Sequence, residues 1–293
     1  MEYYIGMHNE FDKVKYERDF LENITGIEFC NFTSMGDVNE VWKLSQDAGF
    51  KLGVHFPFYK KNYKFRDPLL TSLSNVEKEE AYEAIRRELV LAKKVNAEYL
   101  LVHFPKPMVL SSDLNWGIAK FGDHEVITEQ DITYDEFYEA CEEAISKLSE
   151  YSKSYGVQII LEIELINKWI YATNLLETLL DKYNNIKVCL DSSRLHVVSK
   201  IDSEFDMSSF VQRMSKYTGN LHIANIQVQD KLQNGHYPAL PLLKEEDGWC
   251  NIQEFLKPIK GSRSVQKVLF EHRSDLISLG ELKECYSWVE SLL

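Results

Sequence analysis

The sequence predicts an α/β protein, a single parallel (β/α)8 barrel, and three observations carry that expectation. Eight short apolar runs alternate with longer amphipathic segments across 293 residues, the pattern of βα units and a parallel sheet. Six of the runs close on a carboxylate or an imidazole: LGVHFP on His55, LLVHFP on His103, VQIILEIE on Glu162, IKVCLD on Asp191, LHIAN on His222 and KVLFEH on Glu271. No Gly-rich phosphate loop follows the first run, which disfavours an open doubly wound sheet.

Strands are expected at 2–7, 25–30, 51–56, 98–104, 157–164, 186–191, 220–227 and 266–271, with helices between them. Residues 75–95 keep Ala81, Ala84, Ile85, Leu89, Ala92 and Val95 at helical spacing, with charges on the other face. Residues 133–155 open on Thr133 with Glu136 three positions on, a capping box if Thr133 is the N-cap. A last helix at 278–292 seals the barrel. Val-His-Phe-Pro occurs at 54–57 and again at 102–105. This echo reads either as a shared strand-ending habit or as two histidines at equal heights for one metal.

Three loops are long and show no element of their own, and each follows a strand, so all three belong at the mouth of the barrel. Residues 56–71 hold Lys60, Lys61, Lys64 and Arg66 among Phe58, Tyr59, Tyr63 and Phe65. This stretch is either a solvated surface over packed aromatics or an anion-binding lid. Residues 105–132 contain Trp116, Phe121 and His124, and residues 228–250 contain Asp230, Asn234, His236 and Trp249. Trp116, Phe121 and Trp249 are loop anchors or platforms for the apolar face of a sugar.

Composition is ordinary for a globular chain, 44% hydrophobic and 27% charged, with no break in character, so one domain over 1–293 is expected. A formal net charge of −13 argues against a nucleic-acid partner. The first residues show neither a basic n-region nor an apolar h-region, and no apolar stretch reaches the roughly 20 residues of a membrane span. A cytoplasmic location with no membrane association is the resulting expectation. The five cysteines (Cys30, Cys141, Cys189, Cys250 and Cys285) show no C-x-x-C spacing, so neither a disulfide framework nor a cysteine zinc site is indicated.

A parallel barrel gathers the C-terminal ends of its strands at one mouth, which brings those six acids and histidines together. A single strand-end acid is more often solvated than ligating. Several buried around one mouth are costly unless a cation neutralises them, and imidazole with carboxylate is the donor set of a zinc- or manganese-type ion.

Four motifs, GVQIILEIELINKW, VCLDSSRLH, LHIANIQ and VLFEHR, resemble the xylose isomerase-like barrel superfamily of sugar isomerases and epimerases and endonuclease IV-type zinc enzymes. The resemblance spans essentially the whole chain. It implies that Glu162, Asp191, His222 and Glu271, which are 29, 31 and 49 residues apart in turn, hold a divalent metal such as Mn2+, Zn2+ or Co2+. Glu162 and Glu164 share a face of their strand. Glu162 is taken as the ligand, with Glu164 near the substrate or in acid–base support. His55 and His103 match the two histidines that bind a further zinc in the endonuclease-type enzymes. Those enzymes use Asp-x-x-His where this chain reads Asp191-Ser192-Ser193-Arg194. Arg194 has no lone pair to give a metal, so a third site would need His196, and Arg194 instead looks like a substrate clamp. His236 and His8 are assigned to the substrate with Arg194, His8 having a structural role as its alternative.

Two reactions are compatible with this constellation. The first is isomerisation or epimerisation of a sugar, sugar phosphate or polyol, with Glu162 and Glu271 moving a proton through a metal-stabilised enediolate. The second is zinc-dependent hydrolysis of a small phosphoester or amide, with metals at His55–His103–Glu162 and at Asp191–His222–Glu271. A barrel that binds without turnover uses the same residues. The partner expected is a small molecule, and barrels of this kind also form homo-oligomers.

Overall fold

The structure is a computed structural model and describes residues 1–60 and 63–293; Lys61, one of the loop cations above, lies outside the described residues. Its frame is eight parallel strands: β1 (Glu2–His8), β2 (Ile24–Phe32), β3 (Lys51–Tyr59), β4 (Tyr99–Phe104), β5 (Gln158–Ile163), β6 (Lys187–Asp191), β7 (Thr218–Ile223) and β8 (Lys267–Phe270). Each pairs with its neighbours in sequence, and β8 pairs back onto β1 to close the barrel. The strands are where the apolar runs place them, because both faces of a barrel strand are covered and hydrophobic residues are wanted throughout.

Side chains that alternate along these strands divide the interior into layers. At the floor Tyr4, Tyr99, Leu101, Ile160, Cys189 and Leu269 form a buried cluster of their own. The two tyrosine rings fit because glycine stands opposite them: a Cβ at Gly26 would overlap Tyr4, and one at Gly53 would overlap Tyr99. Two residues further along β2 to β5 come Glu28, His55, His103 and Glu162, so the change from apolar to ionisable happens within one pleat.

Helices cover the outside. The helix Asn75–Lys94 buries Ala81, Ala84, Ile85, Leu89 and Ala92 as its spacing predicts. Thr133 caps the helix Tyr134–Tyr155 through a capping box, its Oγ1 accepting from the Glu136 N–H at 3.2 Å while Glu136 Oε2 accepts from the Thr133 N–H at 2.8 Å. The helix Leu279–Leu292 completes the ring. None of the helices is long and apolar enough to cross a membrane.

Three expectations need correction. β7 stops at Ile223 and not at 227, because Ser192 Oγ takes the Ala224 carbonyl at 2.6 Å. The chain then turns into a hairpin of Asn225–Val228 with Leu232–Tyr237. The loop after β4 is not structureless either, since Met108–Leu110 pairs in parallel with Val126–Thr128. Lastly, Glu88 is not on the solvated face of its helix. It is fully buried, and its carboxylate accepts from the Phe58 N–H at 2.5 Å and the Tyr63 hydroxyl at 2.7 Å, fastening the end of β3.

Burial raises the Glu88 carboxyl to about 7, against the lowering by its two donors. A raised folded-state value means that the stability it contributes is present below the ordinary carboxylate range and is lost as pH climbs through 7. Glu88→Gln is therefore expected to flatten the fall in melting temperature between pH 5 and pH 8. The difference at pH 8 should be on the order of 1–3 kcal/mol, measured by thermal denaturation at each pH.

Candidate metal centre

The register of the barrel brings the strand-end residues level. His103 is the Cα partner of Glu162 across β4 and β5, and Asp191 is the partner of His222 across β6 and β7. Both Val-His-Phe-Pro motifs carry a cis Phe-Pro bond; the second ends β4 there, whereas β3 runs on past Pro57 to Tyr59. The donor atoms of Glu162, Asp191, His222 and Glu271 all lie within 4.8 Å of one another.

Two features test whether this set suits a cation. His222 is fully buried, and neither of its ring nitrogens makes a hydrogen bond, although Nδ1 lies 3.0 Å from Glu271 Oε2 and 3.6 Å from Glu162 Oε1. A buried imidazole without a partner is costly and rare, and a lone pair aimed at a bound ion removes the anomaly. Asp191 has one oxygen fixed: Oδ1 caps the helix Ser192–Ile201, accepting from the N–H groups of Ser193 at 2.6 Å and Arg194 at 2.9 Å. Its burial, with the nearby Glu162 charge, raises it to about 6. Three carboxylates and one imidazole fit a divalent cation.

Residues 22–271 match the family described as xylose isomerase-like TIM barrel. The chain belongs to that family. No curated protein matches the sequence. Among solved structures, a D-tagatose 3-epimerase-like protein superposes with a TM-score of 0.64 at 16% identity, covering 99% of each chain. The 3-keto-D-glucoside 4-epimerase YcjR from E. coli, in its apo form, gives 0.64 at 11% identity over 98% of both chains. The IOLI protein with a bound zinc atom gives 0.62 at 13% identity, covering 100% of this chain and 98% of that one.

Within this xylose isomerase-like barrel, His55, His103 and Glu162 also come together, with His55 Nε2 at 3.0 Å and His103 Nε2 at 3.2 Å from Glu162 Oε2. Arg194 enters the same space. Its Nε donates to Glu162 Oε1 at 3.0 Å, its Nη1 pairs with Glu164 Oε1 at 2.6 Å, and its Nη2 stands 2.9 Å from His103 Nε2. Burial lowers the His103 pKa, but Asp67, Glu162 and Glu164 outweigh burial and raise it to about 9. A protonated His103 has no lone pair, and a neutral one gives its lone pair to the guanidinium, which only donates. Arg194 thus shares the space of the His55, His103 and Glu162 donor atoms, which lie within 4.8 Å of one another. Burial raises Glu162, but Arg194, His222 and His103 outweigh it and hold that carboxyl well below its ordinary range.

The two candidate fifth-strand ligands separate in space. Glu162 joins the four-residue cluster, whereas Glu164 faces Arg194, His103 Nδ1 at 3.3 Å and Lys106 Nζ at 3.7 Å. His236 and the half-exposed His8 sit on the rim, His8 Nε2 at 3.5 Å from Glu271 Oε1 and His236 Nδ1 at 3.2 Å from the Glu271 carbonyl. Two sequence assignments part from the site. Trp116 does not line the cavity beside Arg194 and Glu164; its indole N–H donates to the Ser111 carbonyl at 2.9 Å and anchors the loop. His196, the alternative for a third metal site, has its Nε2 directed at the Gly248 carbonyl at 3.1 Å.

Three site residues were not foreseen. Asp67 is buried at 2.9 Å from His103 Nδ1, and Lys106 is buried against Glu125 at 3.0 Å and Asp67 at 3.7 Å. Glu28 lies 3.4 Å from His222 Nε2 while accepting from the Tyr99 hydroxyl at 2.7 Å. Glu28 thus sets a carboxylate at ion-pair distance behind the far nitrogen of His222. Glu28→Ala is expected to weaken Mn2+ or Zn2+ binding by about 10–100-fold in isothermal titration of metal-stripped protein, with far-UV circular dichroism unchanged.

Proposed function

We propose that this barrel is a divalent-metal-dependent epimerase or isomerase acting on a sugar or sugar derivative. The observation that carries the reading is the quartet of buried Glu162, Asp191 and His222 with partly buried Glu271, whose donor atoms converge within 4.8 Å beside a second would-be metal trio already engaged by Arg194. The structural neighbours named as sugar epimerases support the same direction.

When bound, the cation supplies positive charge opposite substrate oxygens on which charge develops as a carbon-bound proton leaves. The chain's own residues do the rest. Glu162 on β5 and Glu271 just past β8 approach the same space from different walls, so one carboxylate takes the proton and the other returns it to a different face or carbon. Arg194 and Lys106 keep Glu162 and Glu164 charged and in place, while Arg194, His8 and His236 line the cavities where substrate hydroxyls would lie.

Two expected outcomes test the reading. With ketohexoses as substrates in D2O, the metal-loaded protein should introduce deuterium at carbon next to the carbonyl. Glu271→Gln should slow this by at least about a hundredfold, followed by NMR. Exchange at the wild-type rate would remove Glu271 from the proton path. Elemental analysis should give one metal per wild-type chain; two tightly held zincs per chain would favour the hydrolase instead.

A further inference from the structure

The mouth holds two cavities that share Arg66, Arg194 and His236 in their walls. In the one beside His8 and Glu271, of about 520 Å³, the remaining cations are already neutralised. Lys15 is bonded to Asp19 at 2.5 Å, and Arg273 to Asp275 at 2.7 Å.

The other cavity, of about 470 Å³, differs. It runs from His103, Glu164 and Asp191 outward to Lys64, Phe65, Arg66 and Lys120. Its acids are all committed inward: Asp67 to His103 and Lys106, Glu125 to Lys106, Glu164 to Arg194, and Asp191 to the helix it caps. Its outer cations are not. Lys64 and Lys120 form no ion pair with any described residue, and Arg66 approaches Asp67 only at 4.0 Å. The rim is also built from two different loops held together. The ring of Phe65 stacks on His124 with centroids 4.1 Å apart and planes 17° from parallel, joining the loop that carries Lys64 and Arg66 to the loop that carries Lys120. Uncompensated positive charge gathered at one end of one cavity, in a chain of net charge −13, focuses anions there.

We infer that the substrate of this centre is an anionic sugar derivative, whose phosphate or carboxylate is bound by Lys64, Arg66 and Lys120 while its carbonyl end faces Glu162 and Glu271. This rests on the function proposed above and narrows its substrate class. Guanidinium and ammonium donors grip oxyanions by charge-assisted hydrogen bonds that a neutral hydroxyl cannot match.

Isothermal titration of the metal-loaded protein with a hexose 6-phosphate, a hexuronate and the neutral hexose tests this. At least one anionic sugar should bind about tenfold tighter than the neutral one, with the margin shrinking as salt is raised. The triple variant Lys64→Ala, Arg66→Ala, Lys120→Ala should lose the margin, and Lys64→Arg, Arg66→Lys, Lys120→Arg should keep it, all at unchanged metal content. A tighter phosphate arm assigns a phosphate, and a tighter hexuronate arm a carboxylate. Equal affinity for neutral and anionic sugars, or an undiminished margin in the alanine variant, overturns the inference. Because the readout is binding at constant metal content, its failure is separable from a failure of proton exchange, which would count against the epimerase reading alone.

Discussion

The mouth of this barrel is organised around the buried carboxylate of Glu162. His55, His103, His222 and Arg194 all reach it within 3.6 Å, from β3, β4, β7 and the helix after β6. A lone carboxylate at this depth would be expelled or protonated, at a cost of several kcal/mol. Here the surrounding positive groups keep it charged. The arrangement is only partly self-sufficient, because Glu28, Asp67, Glu164 and Asp191 are also buried around this mouth. Lys106 and Arg194 answer Asp67, Glu162 and Glu164. Among the described residues no Lys or Arg pairs with the corner formed by Asp191, His222 and Glu271, and that is the corner that fits a cation.

The floor of the barrel is coupled to this layer and is not mere filler. Tyr99 fills the space opened by Gly53, and its hydroxyl holds Glu28, which in turn stands behind His222. Packing below thus reaches the orientation of a ligand above through two contacts. The same logic operates at the rim, where Glu88 inside the wall fastens β3 and Tyr63, next to the loop that carries Lys64 and Arg66.

How much of this could be read from the chain follows from the kind of signal each residue leaves. Strand-end acids and histidines stand out because they interrupt apolar runs at a fixed place, and the barrel's symmetry does the rest. Glu162 and Glu164 could not be separated, since alternation puts both on one face and only Arg194 and Lys106, distant in sequence, tell them apart. Asp67 and Lys106 left no signal: one sits in a basic stretch before Pro68, the other between Pro105 and Pro107, where either reads as solvated loop. Glu28 left a faint one, a charge in the middle of the strand TGIEFCNF, sharing a face with Gly26 and Cys30. Trp116 left two readings open, loop anchor or platform, because a tryptophan in a long loop suits either until its N–H is seen bonded to Ser111.

Arg194 explains why the two halves of the mouth should behave differently. A guanidinium neither dissociates nor deprotonates at working pH, so the charge it gives Glu162 and Glu164 is permanent. A bound ion can leave. Asp191, pushed up to about 6 and fixed by two backbone N–H groups on only one of its oxygens, pairs with no Lys or Arg among the described residues. On the function proposed above, gain or loss of a metal would act most on Asp191, His222 and Glu271, while Glu162 stays paired with Arg194. One wall of the site is charge-balanced by the chain itself, and on the proposed function the opposite wall is left to a cation.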